Sequence, residues 1–545
     1  CKACIVSRSP LTGIWGEATV GGRWGARLKA SGHDGIIITG ESREPVMLFV
    51  NPEKCEILPA GDLWGKNTFE TSDILTSRMG KNCQVACIGP AGENLVKYAS
   101  VMIGGDDARA LGRCGMGAVM GKKKLKAIIA SGREKLSVAN PVELLKTVKE
   151  DTAIIREAVK GLTEFGTSGF VDAVEAAGDL PIENWRGGEW KEGAKLVNGK
   201  VIVEKYLHEH YACFACPIAC GKKAVVPYGP HEGKIGRSPE YETMAAFGSL
   251  TLNENIEGVI VANDLCNRLG LDTITTGAVV AFAMEAYENG LITEESAGRT
   301  INWGDPDAIV DLIQMIAYRE KIGDILAEGV RYASHELGGN AEEYAIHTKG
   351  LEVPYHDPRA FHSMAVNYAT ANRGACHLEG LTYFVENGLL PAELIRYEIT
   401  SERFGVDGKA ELCVIMQNFM NVLNATGLCK FIIRGKCGPD KVCNWINLAL
   451  GWDMDFDKLM KIGERLHNMK RMYNVKLGVS RKDDKLPGRL YTWARPGGGA
   501  DGQLPHLGKM LWEYYRLRNW NEQGIPENEK LKELGIYELI YSMVD

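Results

Sequence analysis

Four stretches of the chain place apolar residues at helical spacing: residues 141–149, 256–270, 274–290 and 306–319. Upstream the pattern changes. Ile36–Thr39, Val46–Val50 and Val85–Ile88 are short apolar runs. Turn residues bound them, which predicts buried strands. His33-Asp34-Gly35 marks a turn before the first run, and Gly89-Pro-Ala-Gly92 a turn after the last. Beyond residue 347 the reading is again mainly helix, with long loops at 351–363 and 482–508. The expected fold class is α+β. A β-rich domain spans 1–136, and two mainly helical domains span 137–346 and 347–545. No solenoid period or low-complexity tract is present.

Two helix ends echo each other. Asn267-Arg-Leu-Gly-Leu-Asp272 returns as Asn424-Ala-Thr-Gly-Leu-Cys429. Each glycine, Gly270 and Gly427, supplies a positive-φ cap. The groups beyond each cap, Leu271 with Asp272 and Leu428 with Cys429, can meet a ligand. Two matching ends imply two similar ligand halves; a chance match of ordinary caps accounts for them equally well. Glycines also cluster in Leu111–Gly121, where Gly115 and Gly117 follow Arg113, and at Gly21-Gly22. Such loops bring backbone N–H groups and a guanidinium to a phosphate, or simply make tight turns.

The densest chemistry is Tyr211-Ala-Cys-Phe-Ala-Cys-Pro-Ile-Ala-Cys220, with Cys213, Cys216 and Cys220 spaced to face one metal centre. Thiolates suit zinc or iron–sulfur clusters. His208 and His210 just upstream keep zinc open. The embedded proline and a three-plus-one arrangement favour a 4Fe–4S cluster with a remote fourth cysteine. Three buried structural cysteines are the plainer account.

Composition narrows the field. Hydrophobic residues make up 45% and charged residues 24% of 545, ordinary for a globular protein with a large core. The net charge of −7 and the lack of a long basic run argue against a nucleic-acid partner. Lys122–Lys126 is short and reads as a surface flank. Fifteen cysteines, an odd number, preclude a complete disulfide framework and imply a reducing, cytoplasmic setting. No apolar run reaches the roughly 18 residues of a membrane span, and no signal peptide is visible. The chain begins at Cys1, so its true N-terminus is expected to lie upstream.

Taken together, the sequence resembles the tungsten-containing aldehyde ferredoxin oxidoreductases, from its first residues to Gly535. The carriers are Ser9–Gly13, Ile88–Asn94, Gly115–Gly121, Cys213–Cys220, Pro239–Glu242, Gly270–Thr273, Asn372–His377 and Gly427–Cys429, in the family's order. The resemblance implies a tungsten (or molybdenum) held by two pyranopterins whose phosphates are bridged by Mg²⁺, with a 4Fe–4S cluster nearby. Cys213, Cys216, Cys220 and Cys429 would ligate the cluster. Each echoed helix end, through Asn267, Gly270, Leu271 and Asp272 or through Asn424, Gly427 and Leu428, would grip one pterin. Lys2, Gly21, Gly22, Arg113, Gly115 and Gly117 would complete the cofactor cradle. The β-rich domain would form a base under the cofactor, and the helical domains would cover it.

There are departures. Asn267 and Asn424 stand where the family often has Asp, and Lys2 where it has Arg. Lysine offers a point charge and no bidentate fork. Val261 and Asp264 occupy the place of a Glu-x-x-His pair that binds iron between subunits in some members. An oligomer is left open, but an iron-bridged dimer has no support. The family's first roughly 75 residues are expected to be absent, by usual domain sizes.

The implied reaction is anaerobic oxidation of an aldehyde to a carboxylic acid with water, electrons leaving through the cluster to ferredoxin. Glu242, after Pro239 at a helix start, is the expected general base, with a capping role as the plain alternative. His377 is expected to polarise the carbonyl or relay a proton, and Tyr241 to donate to the substrate oxygen. His356 and His362 are expected to line a channel, and Cys376 to be a buried thiol. Two rival readings remain. One is the same cofactor acting on a sugar phosphate or an aromatic thioester. The other is an electron-transfer subunit that has lost tungsten.

Overall fold

The computed structural model describes residues 2–228, 231–399 and 402–542. The chain opens with a hairpin, β1 (Ala3–Arg8) and β2 (Trp15–Val20). A mixed sheet comes next, built from β3 (Val46–Val50), β4 (Cys55–Pro59), β5 (Cys83–Cys87), β6 (Val101–Ile103), β7 (Arg109–Leu111) and β8 (Leu125–Ser131). Its strand order is β4-β3-β8-β5-β6-β7, with β3 and β8 parallel and every other pair antiparallel. The apolar residues of β5 and β8 are buried, as continuous runs without alternation require.

Three expectations for this region are corrected. Ile36–Thr39 is no strand: the run joins no ladder of the sheet, and Ile37 is 93% exposed. Pro90–Glu93 forms a helical turn in place of a simple turn, opened by proline at its first position. Lys126, at the end of the basic cluster, is fully buried. Its ammonium bonds Glu93 at 2.5 Å and the carbonyl of Lys66 at 2.8 Å.

The helices follow the periodicity. They run Pro141–Ala158, Ile256–Leu269, Thr273–Glu288 and Pro306–Tyr318. Asn255, Asp272 and Asp305 each cap the helix they precede by accepting two backbone N–H bonds. Thr273–Glu288 is apolar on all sides and buried from Ile274 to Ala286. In the C-terminal part Lys409–Thr426 packs against Phe456–Lys476. An antiparallel sheet escaped the periodicity, made of β9 (Leu207–Tyr211), β10 (Gly221–Val226) and β11 (Gly233–Arg237), with β10 in the middle. A large apolar core runs from Leu11 to Trp520 and ties these parts together. Among the described residues no helix is long and apolar enough to cross a membrane.

Both echoed helix ends close alike. Gly270 has φ +77° and Gly427 φ +68°. In each, the next leucine N–H reaches back five residues: Leu271 to Cys266 O at 2.9 Å, Leu428 to Leu423 O at 3.1 Å. This is the Schellman closure expected of a glycine stop.

Candidate functional site

The cysteine segment is the connection between β9 and β10, closed by the pairing of Tyr211 with Gly221. Ala215 and Ala219 both take φ +50°, which curls the backbone. The Phe214 N–H donates to Gly22 O at 3.0 Å and anchors the loop on the N-terminal domain. A Cβ at Gly21 would stand 2.7 Å from Cys213 Sγ, so glycine there makes room for the thiol. Cys429 arrives from the other side, two residues past the Gly427 stop. All four thiols line one cavity of about 590 Å³. Among the described residues no three His, Cys, Asp or Glu side chains converge on a single ion. His208 and His210 are exposed and stand outside the cavity lining. The four thiols around a shared space therefore suit a polynuclear cluster better than zinc.

The cavity is electropositive at this end. Arg109 and Arg237 line it against the single carboxylate of Glu240, which pairs with both, and the Arg109 guanidinium lies 5.0 Å from the Tyr211 ring centroid. Burial works against ionisation of Cys213, but Arg109 and the Gly22 backbone hold its thiol below the usual value.

The opposite wall carries the titratable pair. The Tyr241 N–H donates to Thr167 Oγ1 at 3.0 Å where the helix Tyr241–Phe247 begins, which orients its first turn toward the cavity. Glu242 Oε2 accepts the Tyr355 N–H at 2.9 Å. Its Oε1 has no hydrogen-bond partner and stands 3.3 Å from His377 Nδ1, which has none either. Burial raises the Glu242 carboxyl pKa, with His356 the largest opposing influence. Burial first, then the positive charge of His356, puts His377 well below the ordinary imidazole range, so it is neutral. Tyr241 lines the cavity, but its hydroxyl donates to Tyr355 O at 2.6 Å. The expected donation to a substrate is thus already committed to the backbone. Its ring instead stacks on His356 at 4.8 Å between centroids.

The sequence-derived set converges in large part. Lys2, Gly21, Arg113, Asn267, Leu271 and Asp272 line the cavity beside the four cysteines, Tyr241, Glu242 and His377. Asn424 and Leu428 line an adjoining recess of about 60 Å³ that shares Lys2 and Cys429. Asn424 Nδ2 donates to Glu17 Oε1 at 2.6 Å there. Gly22, Gly270 and Gly427 are absent from both linings. Gly115 and Gly117 are also elsewhere. A Cβ on them would sit 1.9 Å from Lys97 O and 2.5 Å from Ser100 O, so their smallness serves backbone packing. Of the channel histidines, His356 lines the cavity, whereas His362 packs its ring edge-on to Phe404. Cys376 is buried at the wall and accepts from Arg373 at 2.7 Å.

Arg109, Arg373 and Asp179 line the cavity but had no local signal beyond their residue type. Arg373 lies within the motif Asn372–His377, which was its only flag. Six lining residues keep a buried polar atom without a hydrogen bond: Arg109, Arg113, Asn267, Arg373, Glu242 and His377, of which Arg113 Nε and Arg373 Nε each lie 3.5 Å from a carboxylate, Asp272 and Glu379. Buried polar atoms are rarely left so, and six around one cavity fit a large polar, anionic group held there. The Asn267 amide and the three guanidiniums are the donors such a group would use.

One cavity lined by four thiols and by a carboxyl–imidazole pair is the kind of site that suits redox chemistry. Comparisons carry this further. The family model "Aldehyde ferredoxin oxidoreductase, N-terminal domain" matches residues 1–132, and "Aldehyde ferredoxin oxidoreductase, domains 2 & 3" matches 143–536. A tungsten-containing aldehyde ferredoxin oxidoreductase of Thermococcus kodakarensis is 38% identical, over 98% of this chain and 87% of its own. That of Pyrococcus furiosus is also 38% identical with the same coverage. A protein of P. furiosus described as an aliphatic sulfonate oxidoreductase, WOR-like subunit, is 30% identical over 98% of this chain and 86% of its own. Among solved structures, the active-site complex BamBC of benzoyl coenzyme A reductase with 1,5-dienoyl-CoA superposes with TM-score 0.81 at 25% identity, covering 100% of this chain and 87% of that one. The chain belongs to the aldehyde ferredoxin oxidoreductase family, a family of oxidoreductases.

Proposed function

We propose that this protein oxidises an aldehyde to a carboxylic acid with water and passes the electrons to ferredoxin or a similar low-potential carrier. The observation that carries the reading is the single cavity joining four cysteines to the Glu242–His377 pair, ringed by buried donors that make no hydrogen bond. The 38% identity to tungsten-containing aldehyde ferredoxin oxidoreductases supports it. When bound, a tungsten pterin centre with Mg²⁺ supplies the two-electron chemistry, and a 4Fe–4S cluster supplies single-electron exit.

Asn267 would hold one pterin side through its Nδ2, which makes no hydrogen bond, with the charge of Arg113, paired to Asp272, beside it. Asn424 and Lys2, at the adjoining recess, would hold the other. Cys213, Cys216, Cys220 and Cys429 would hold the cluster. Phe170, Val174, Phe361, Leu381 and Phe384 give the same cavity an apolar wall. Glu242 Oε1 receives the proton released as water adds to the carbonyl. Neutral His377, with Nδ1 3.3 Å away and no hydrogen bond to that oxygen, stands beside it where a proton could be relayed. The three-domain division 1–136, 137–346 and 347–545 places the cluster cysteines on the second and third domains, with Lys2, Gly21 and Arg113 on the first.

A second reading draws on the likeness to a benzoyl coenzyme A reductase complex, in which the same cavity would act on an aromatic thioester. Elemental analysis of anaerobically purified protein for W, Mo, Fe and Zn, followed by an aldehyde screen with a viologen acceptor, tests both. One tungsten and about four irons per chain with aldehyde-dependent viologen reduction is the expected result. Metal-replete protein that responds only to a thioester supports the second reading. Iron without tungsten or molybdenum refutes both and leaves an electron-transfer role.

A further inference from the structure

The base of the site does not stand alone. His356 is buried beside it on the loop 351–363, and every polar atom of its ring is accounted for. Nδ1 lies 2.6 Å from Asp179 Oδ2, and Nε2 lies 3.0 Å from the Tyr383 hydroxyl and 3.9 Å from Glu242 Oε1. Asp179 is itself fixed, since its Oδ1 accepts the Asp357 N–H at 2.8 Å. The ring is clamped between Tyr241 and Tyr383, with centroids at 4.8 and 4.2 Å. Tyr368 donates to the His356 carbonyl at 2.8 Å, which holds the backbone.

We propose that His356, backed by Asp179, is a positioning residue: as an imidazolium it keeps Glu242 in the ionised form that takes up protons. This rests on the reading of Glu242 as the base. The geometry assigns each partner a part. The Asp179 carboxylate accepts the Nδ1–H bond and stabilises positive charge on the ring. Glu242, on the Nε2 side, then faces a cation across 3.9 Å of low-dielectric interior. Tyr383 accepts from Nε2 when the ring is charged and donates to it when the ring is neutral, so both states keep their hydrogen bonds. The groups facing the ring are Asp179, Glu242, His377, Tyr241, Tyr368 and Tyr383, and of these the two carboxylates favour charge. Their attraction outweighs burial, and the His356 proton affinity is raised. Burial first, and then the same charge, keeps His377 neutral. Four residues widely separated in sequence thus assemble an acid–base unit in which one carboxyl is reserved for chemistry and one for support.

The test is an infrared titration of the holoprotein, following the protonated-carboxyl band that disappears in Glu242→Gln. Asp179→Asn keeps an acceptor for Nδ1 and removes the charge. Neutral His356 then no longer favours the Glu242 carboxylate, so the band persists to higher pH by about one unit or more. The acid limb of kcat/KM moves up with it. His356→Gln gives the same direction and serves if Asp179→Asn does not fold. A merely structural role lowers activity without moving the midpoint. An unmoved band in a folded, metal-replete variant overturns the proposal. The band needs no turnover, so a shifted band in protein inactive toward aldehydes supports the positioning role and refutes only the aldehyde reading.

Discussion

Glu242 shows how much one carboxyl depends on where its two oxygens point. One oxygen is held by the Tyr355 N–H and the other is left bare toward His377. Glu242→Gln keeps the hydrogen-bonded oxygen and the shape but cannot accept a proton. Turnover is expected to fall by about 10²-fold or more, the usual share of a positioned base. Tungsten and iron content should match the parent protein, and full turnover at full metal content would end the assignment. Gly21 makes the complementary point with no functional group at all. Gly21→Ala places a methyl 2.7 Å from Cys213 Sγ, against a thiol whose backbone is pinned on both sides. The expected outcome is protein with reduced iron per chain and unchanged far-UV circular dichroism. Full iron would show that the loop yields.

The sequence echo of the two helix ends is a shared backbone geometry, and on the proposed reading it presents ligand groups. Gly270 and Gly427 both sit at left-handed φ, and both are crowded: a Cβ would come within 3.0 Å of Gly89 N in one and 3.1 Å of Lys2 O in the other. Alanine at either position is expected to cost about 1–2 kcal/mol, from left-handed strain plus the contact, read as a lower urea midpoint. An unchanged midpoint would mean that the caps relax freely. The two ends differ in the residue beyond the leucine. Asp272 spends its carboxylate capping the next helix, whereas Cys429 leaves its thiol in the cavity wall. Cys429→Ser should therefore leave the helix stop intact while its hydroxyl, a poor soft-metal ligand, fails the cluster. A normal 4Fe–4S EPR signal in that variant would remove Cys429 from the ligand set.

Across the whole molecule, legibility followed sequence distance. The helices, their caps and the three-cysteine loop were readable because each is written within one or two turns of chain. Val46–Val50 was readable as a strand for the same reason, and Ile36–Thr39 was misread because an apolar run says nothing about whether a ladder partner is free. Gly115 and Gly117 pack against backbone, a constraint that in sequence looks identical to a glycine beside a ligand. Asp179 and His356 meet across 177 positions, and no spacing rule reaches that far. What only the fold reveals is the ring of buried atoms without a hydrogen bond on Arg109, Arg113, Asn267, Arg373, Glu242 and His377. Each unsatisfied buried polar group costs about 1–3 kcal/mol, and more when charged. On the proposed reading, the fold without its cofactor bears that cost around the cavity, and with it the same atoms would become contacts. Protein produced without tungsten should therefore keep its secondary structure and melt at a lower temperature than the replete form, since a ligand bound only to the folded state stabilises it. Adding back iron alone should restore part of the difference, through the four cysteines. Equal melting temperatures in calorimetry would mean that the unpaired atoms are satisfied by water, and the cavity would lose its claim to be built around a cofactor.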